Sequence, residues 1–333
     1  MPKRVTMADV AREAGVSLMS VSRAINNRDG ISEATRARIH DIIERLGYRP
    51  SEIARSLVTD RTGTVGLVVV DNSNPFFSEV ARGVDQQAYS AGYNVFLCNT
   101  DEDPQRELAV LRSLEEKRVD GVIVCSSRLD KEQLRTALER HSAAVLVNRS
   151  LDGEQFRAVL SDDERGARLA VEHLVRAGHQ AIGFVAGPKR SHSGQQRSKG
   201  YRAALEEAGR PHTPEWERHC LPMVEGGCEA ASDLLTAHPE ISALVCFNDL
   251  TAVGALRACA RLGRRVPDDV AIVGFDDILL AALVTPALTT CRVPMVDLGN
   301  QAMRLLLDQI NGCAGPCEDV LVQPELVIRA SAP

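Results

Sequence analysis

Polar side chains follow apolar, β-branched runs at five places in this 333-residue chain. Asp71, Asn72 and Asn74 follow "TVGLVVV", Ser126 follows "DGVIVC", and Asn148 and Arg149 follow "AAVLV". Asn248 and Asp249 follow "SALVCF", and Asp276 and Asp277 follow "VAIVGF". Ligands of open α/β sheets bind beyond the carboxyl ends of the strands. Amides, carboxylates and guanidinium groups gathered there would line a cleft for a polar small molecule. Taken singly, each of these residues reads equally well as a helix cap or a turn. A second set lies in "SLMSVSRAIN", residues 17–26, where Leu18, Met19, Ser20, Ser22 and Arg23 share the outward side of a short helix, with Asn26 near its end. Such groups can reach phosphates or base edges. No Gly-x-Ser-x-Gly, phosphate loop, Gly-x-Gly-x-x-Gly or His-Glu-x-x-His run is present, so nothing invites an enzyme, and no cofactor is expected.

The elements that must carry these residues follow from caps and periodicity. Thr6 reads as an N-cap with Asp9 in the first turn, and Gly15 as the C′ residue of that helix. Ser17 can cap a second helix that buries Val21, Ala24 and Ile25. Ser32 can cap a third that turns Ile39, Ile42, Ile43 and Leu46 inward and ends at Gly47. Three short helices, the first two joined by a tight glycine turn, match helix-turn-helix geometry, and a small helical bundle with a polar face is the plainer alternative. Pro50 and Ser51 open a segment, "EIARSL", too short to be stable alone, followed by a linker to residue 62. From residue 64 onward β-runs and helical runs alternate, which predicts parallel doubly wound sheets. Two such series imply two Rossmann-like lobes, about 63–161 and 162–292. The chain then returns, and the helix "MVDLGNQAMRLLLDQING" and one strand, "EDVLVQPELVIR", are expected to complete the first lobe over about 293–328.

Composition bounds the possibilities. The chain is 44% hydrophobic and 25% charged, with a net charge of −6, ordinary for a globular protein of two or three domains. Residues 1–60 hold ten Lys or Arg against eight Asp or Glu, so the head is +2 and the remainder −8. A polyanionic partner would meet the head. No apolar run is long enough to span a membrane, and "MPKRVTMADV" lacks an apolar segment behind its charges, so a cytoplasmic protein without membrane contact is expected. The nine cysteines are scattered without a Cys-x-x-Cys pair and read as buried thiols in a reducing compartment. Metal binding by Cys313 and Cys317 is the lesser alternative, and no metal site is expected.

"TMADVAREAGVSLMSVSRAIN" with "ISEATRARIHDIIERLGYRPSEIARSL" resembles the DNA-binding head of the lactose-repressor (LacI/GalR) family. Its Asp-Val-Ala, Ala-Gly-Val-Ser, Ser-Val-Ser-Arg and Leu-Gly-Tyr-x-Pro elements stand in order. "DNSNPFF", "HLVRAGHQAIGFVAGP", "RSKGYRAAL", "FNDLTAVGAL" and "VAIVGFDD" extend the likeness over nearly the whole chain. The resemblance implies a helix-turn-helix domain over 1–49, a hinge helix and linker over 50–62, and a two-lobed body of the periplasmic-binding-protein type over 63–333. It implies that Leu18, Met19 and Ser20 read bases, that Ser17, Ser22, Arg23 and Asn26 contact DNA, and that Thr6 holds a phosphate through the first helix N-terminus. Leu57 would wedge into a central base step with Ala54 lining the hinge pair. In the body it implies effector contacts from Phe77, by stacking, and from Arg197, Asn248 and Asp276. Asp71, Ser126, Asn148 and Leu221 complete the expected effector set. Asn148 replaces a frequent aspartate, and Leu221 stands about where an aromatic often stacks. The implied protein is a repressor that binds a near-palindromic operator in double-stranded DNA as a homodimer and responds to a sugar or sugar derivative. No leucine heptad follows residue 330, so no tail-tethered tetramer is expected. A sugar-binding transport component would share the body but not the head.

Overall fold

The computed structural model describes residues 5–25, 27–48, 61–151, 156–313 and 318–333. The chain divides into two compact units, Met1–Thr62 and Gly63–Pro333.

In the first unit, helices α1 (Met7–Ala14), α2 (Leu18–Ile25) and α3 (Glu33–Leu46) enclose a small core of Val10, Ala14, Val21, Ala24, Ile39 and Tyr48. Local chemistry sets each boundary. Thr6 and Asp9 form a capping box at the start of α1, which satisfies two amide groups that the helix itself cannot. Gly15 and Gly47 end α1 and α3 at φ of 62° and 63°, where a side chain would be strained. Ser32 caps α3. The Arg36 guanidinium donates to the carbonyls of Arg23 (3.4 Å) and Arg28 (2.9 Å) and so ties α3 to the end of α2.

The second unit contains two six-stranded sheets. Strands β1 (Thr64–Val69), β2 (Asn94–Asn99), β3 (Gly121–Cys125), β4 (Ala144–Val147), β5 (Arg157–Ser161) and β11 (Val320–Val322) form the first, in the order β11-β5-β4-β3-β1-β2. The second orders β12 (Glu325–Val327), β10 (Thr289–Arg292), β9 (Ala271–Asp276), β8 (Ala243–Cys246), β6 (Ile182–Ala186) and β7 (Glu217–His219) as β12-β10-β9-β8-β6-β7. Among the described residues all strand pairings are parallel except β10 with β12. The central strands β1, β3, β6 and β9 are buried along almost their whole length, which explains their unbroken Val/Ile-rich runs.

The closing segment differs from expectation. "EDVLVQPELVIR" is two strands rather than one. Pro324 has no N–H to give a ladder, and the chain changes sheets there: β11 pairs with β5, and β12 with β10. The expected assignment of residues up to 328 to the first lobe is therefore corrected at residues 325–327. Three segments cross between the lobes, after β5, after β10 and at Gln323–Pro324. The helix after the second crossing, Met295–Ile310, packs on the first lobe against Pro75–Ser90.

Candidate functional site

In the head, the outward side of α2 is available. Leu18 and Met19 are 53% and 62% exposed, far more than a helix of this size leaves on apolar side chains that have a core to join. Ser17 caps α2, its hydroxyl accepting from the Ser20 amide at 3.1 Å and lying 3.0 Å from the Ser20 hydroxyl. Ser22 is half-buried and Arg23 exposed, its guanidinium lying over Gly30. A Cβ on Gly30 would come within 2.9 Å of it. Thr6 stands at the start of α1 as its N-cap. Its hydroxyl donates to the Asp9 carboxylate at 2.7 Å, and the same oxygen accepts from the Thr6 amide at 3.0 Å. These bonds hold the Asp9 carboxyl below its ordinary value. The capping box engages the Thr6 and Asp9 amides and sets a carboxylate beside the α1 N-terminus. Asn26, Ala54 and Leu57 lie outside the described residues, as do Glu52 and most of the hinge.

In the body, the strand ends of both lobes meet in a cleft. Phe77, Ser126 and Asn148 reach it from the first lobe, and Arg197, Asn248 and Asp276 from the second. Three of these six owe their position to uncommon backbone: Ser126 (φ 55°), Asn148 (φ 50°) and Asp276 (φ 108°). Glu102 (φ 59°) lines the cleft in the same way. Positive φ on residues with side chains is costly and clusters where structure is spent on function.

Most polar groups of the cleft are already engaged. The Arg197 side chain is 4% exposed and donates to Asp163 through Nε (2.9 Å) and Nη2 (2.8 Å), with the Asp276 carboxylate 3.6 Å away. It also donates to the Phe247 carbonyl and lies over the ring of Phe275, 3.6 Å from its centroid. Burial pushes the Asp276 carboxyl well up, against the pull of Arg197. Asn248 caps the helix Asp249–Arg261 and donates to the Pro222 carbonyl at 3.2 Å. Asn148 accepts from the Ser161 amide at 3.0 Å. The Ser193 hydroxyl is buried, lines the cleft and has no protein partner. The enclosed space is about 30 Å³, room for a water or two, so the walls lie close together.

Two expected effector residues are elsewhere. The Asp71 carboxylate accepts from the Ser73 amide and hydroxyl at 2.9 and 2.7 Å and shapes its own turn. Leu221 is 55% exposed outside the lining, and Pro222 takes the place in the wall. Asp249, flagged as a strand-end group, points into the second lobe and accepts from Thr290 Oγ1 (2.6 Å) and the Ile278 amide (2.8 Å). Glu102, Arg128, Ser193 and Phe247 were missed. Only the aromatic Phe247, directly before Asn248, carried a local signal.

A larger hollow, about 690 Å³, lies between the helices Pro104–Glu116 and Lys131–Leu138. No strand residue lines it, and Glu115 and Arg140 on its rim satisfy each other at 2.6 Å. The cleft is therefore the better candidate. Among the described residues no His/Cys/Asp/Glu group could hold a metal ion, and no helix is long and apolar enough to cross a membrane. Cys313 is exposed and unpaired, and Cys317 lies outside the described residues.

Known proteins match both units. Residues 6–51 match the family model described as bacterial regulatory proteins, lacI family. Residues 62–330 match that of periplasmic binding proteins and the sugar-binding domain of the LacI family. The HTH-type transcriptional repressor PurR of Aliivibrio fischeri is 37% identical over 98% of each chain. The ribose operon repressor of Halalkalibacterium halodurans is 38% identical over 92% of this chain and 90% of its own. The solved lac repressor dimer, bound to operator and the anti-inducer ONPF, superposes with a TM-score of 0.88 at 27% identity over 99% of each chain.

Proposed function

The chain belongs to the lacI family of bacterial regulatory proteins, and from that premise we propose that it represses transcription as a homodimer on a near-palindromic operator. A monosaccharide, D-ribose foremost, is the proposed effector, held between the lobes and released unchanged. The observation that carries this reading is the cleft itself, built from six expected residues drawn from both sheets. Phe77 supplies an apolar face and the amides and carboxylates supply hydroxyl partners, the mix that a small polyol needs.

One head alone offers too small a surface for a specific site, and two heads gain from reading two half-sites. Leu18 and Met19 cannot make bidentate hydrogen bonds, so they contact thymine methyls or shape the groove. Ser17, Ser20, Ser22 and Arg23 supply the polar contacts, and Leu57 with Ala54 takes the hinge role that the family likeness implies. The protein works in the cytoplasm, beside the chromosome. The effector changes operator affinity only by its different affinity for two arrangements of the lobes.

Thermal unfolding tests this with D-ribose and, separately, a purine base. A ligand at about 100 times its Kd adds roughly 2.7 kcal/mol, a clear rise in Tm. A rise with ribose alone supports the reading. A rise with the purine alone would transfer the cleft to a different effector class.

A further inference from the structure

Asn148 stands where the family often has an aspartate, and its Oδ1 is already occupied by the Ser161 amide. The first lobe therefore has a neutral, partly engaged acceptor there in place of a carboxylate. A carboxylate lies in the same wall all the same. Glu102 lines the cleft beside Arg128, and the two form a fork-to-fork pair, Nε to Oε2 and Nη2 to Oε1, the latter at 2.9 Å. Their side chains are 17% and 5% exposed.

This pair is expensively placed. Taking two charges out of water costs several kcal/mol per ion in general, and their attraction alone often fails to recover it. Glu102 also sits in left-handed backbone, directly after Asp101 at φ 53°. The surroundings hold Arg128 in place. Its amide donates to Glu107 Oε2 at 3.0 Å, and its Nη1 donates to the Ser126 carbonyl. A guanidinium has five N–H groups, and the bonds just given use three. Two N–H groups remain, one on each terminal nitrogen, on a side chain that lines the cleft. Each Glu102 oxygen accepts one of these bonds and keeps a further lone pair.

We propose that the Arg128–Glu102 pair is a specificity-determining element that reads one hydroxyl of a pentose, Arg128 donating and Glu102 accepting. Arg197, paired behind the opposite wall with the buried Asp163, lines that wall, so each lobe presents an ion-paired arginine to the sugar. The assignment rests on the reading of the cleft as a pentose site. Glu107 is a positioning residue that fixes the Arg128 backbone.

Isothermal titration of wild type, Glu102→Gln and Arg128→Lys tests it, with D-ribose and its 2-, 3- and 5-deoxy analogues as probes. The wild type should bind one deoxy analogue at least 10-fold more weakly than ribose. In both variants ribose affinity should fall at least 10-fold, and that one discrimination ratio should collapse towards 1. Unchanged ribose affinity in both variants would overturn the assignment while leaving the pentose reading intact. So would an equal loss for ribose and every analogue, which is the mark of a merely structural pair. Failure of the wild type to bind ribose would overturn both. Thermal unfolding of each variant without ligand confirms that the comparison is between folded proteins.

Discussion

At the scale of single residues, the buried carboxyl groups of the second lobe are the sharpest feature. Asp249 is fully buried, and burial pushes its carboxyl up to about 7 despite the bonds from Thr290 and the Ile278 amide. Gly274 makes the space, since a Cβ there would stand 2.2 Å from Asp249 Oδ1. The groups around Asp249 are Asp277 and Asp276, with Arg197 beyond, and the thiols of Cys246 and Cys291. An unfolded aspartate releases its proton near pH 4. Between about pH 4 and 7 the folded chain keeps a proton that the unfolded chain has lost, so stability falls as pH rises through that window. Asp249→Asn removes this titration. Chemical denaturation of both proteins at pH 5 and pH 8 should show the wild type losing ground to the variant by about 2.5 kcal/mol between the two conditions. An unchanged difference would show that Asp249 titrates normally. Arg197→Ala makes a different point in the cleft. It strands Asp163 and Asp276 without their cation, a loss of about 3–5 kcal/mol for a broken buried pair. Effector response should vanish and Tm should fall together, whereas a normal Tm with no response would mean that water replaces the guanidinium.

At the scale of elements, helices are locked in pairs by glycines. A Cβ on Gly83 would come 2.1 Å from the Val296 carbonyl, and one on Gly299 would come 2.1 Å from that of Val80. The helices Pro75–Ser90 and Met295–Ile310 thus touch backbone to backbone, and this contact anchors the returning chain to the first lobe. Gly227 with Thr251, and Gly254 with Val224, repeat the device in the second lobe. Gly83→Ala should cost about 1–3 kcal/mol by overpacking, read as a lower denaturation midpoint. A neutral or stabilising result would mean that the helices separate freely. Nothing local in the sequence marks these glycines, because the reason for each lies more than 20 residues away or on another element. The elements that were legible carry their instructions locally: the caps Thr6 and Ser32, the turn glycines Gly15 and Gly47, and the long apolar strands. Strands β5, β7 and β10 were not recognised, being three to five residues long and defined by their neighbours. The same division holds in the cleft. Arg197, Asn248 and Asp276 sit within readable motifs, whereas Glu102 and Arg128 become a pair only when β1, β2 and β3 lie side by side. Asp71 and Leu221 show the converse, since polarity at a strand end and a place in the sequence did not determine where the side chain would turn.

At the scale of the whole body, apolar surface remains that a lone copy leaves in water. Strand β2 is the edge of the first sheet. Phe96 and Leu97 on it are 46% and 48% exposed, and Tyr89 on the preceding helix is 84% exposed. An exposed apolar edge invites pairing unless something covers it. The short helix Leu279–Leu283 of the second lobe adds Leu279 and Leu283, which are 77% and 67% exposed. Both lobes thus offer apolar surface that a second copy could cover, in keeping with the homodimer proposed above. If the second copy covers these surfaces, a charge placed in each should separate the copies without disturbing either core, because the side chains lie outside it. Leu97→Asp combined with Leu283→Arg should shift the mass measured by light scattering from about twice 36 kDa towards one copy. Operator affinity should fall with it, because two half-sites are then read by independent heads. A variant that remains dimeric would place the interface on another face. One that becomes monomeric yet holds its operator as tightly would refute the need for paired heads.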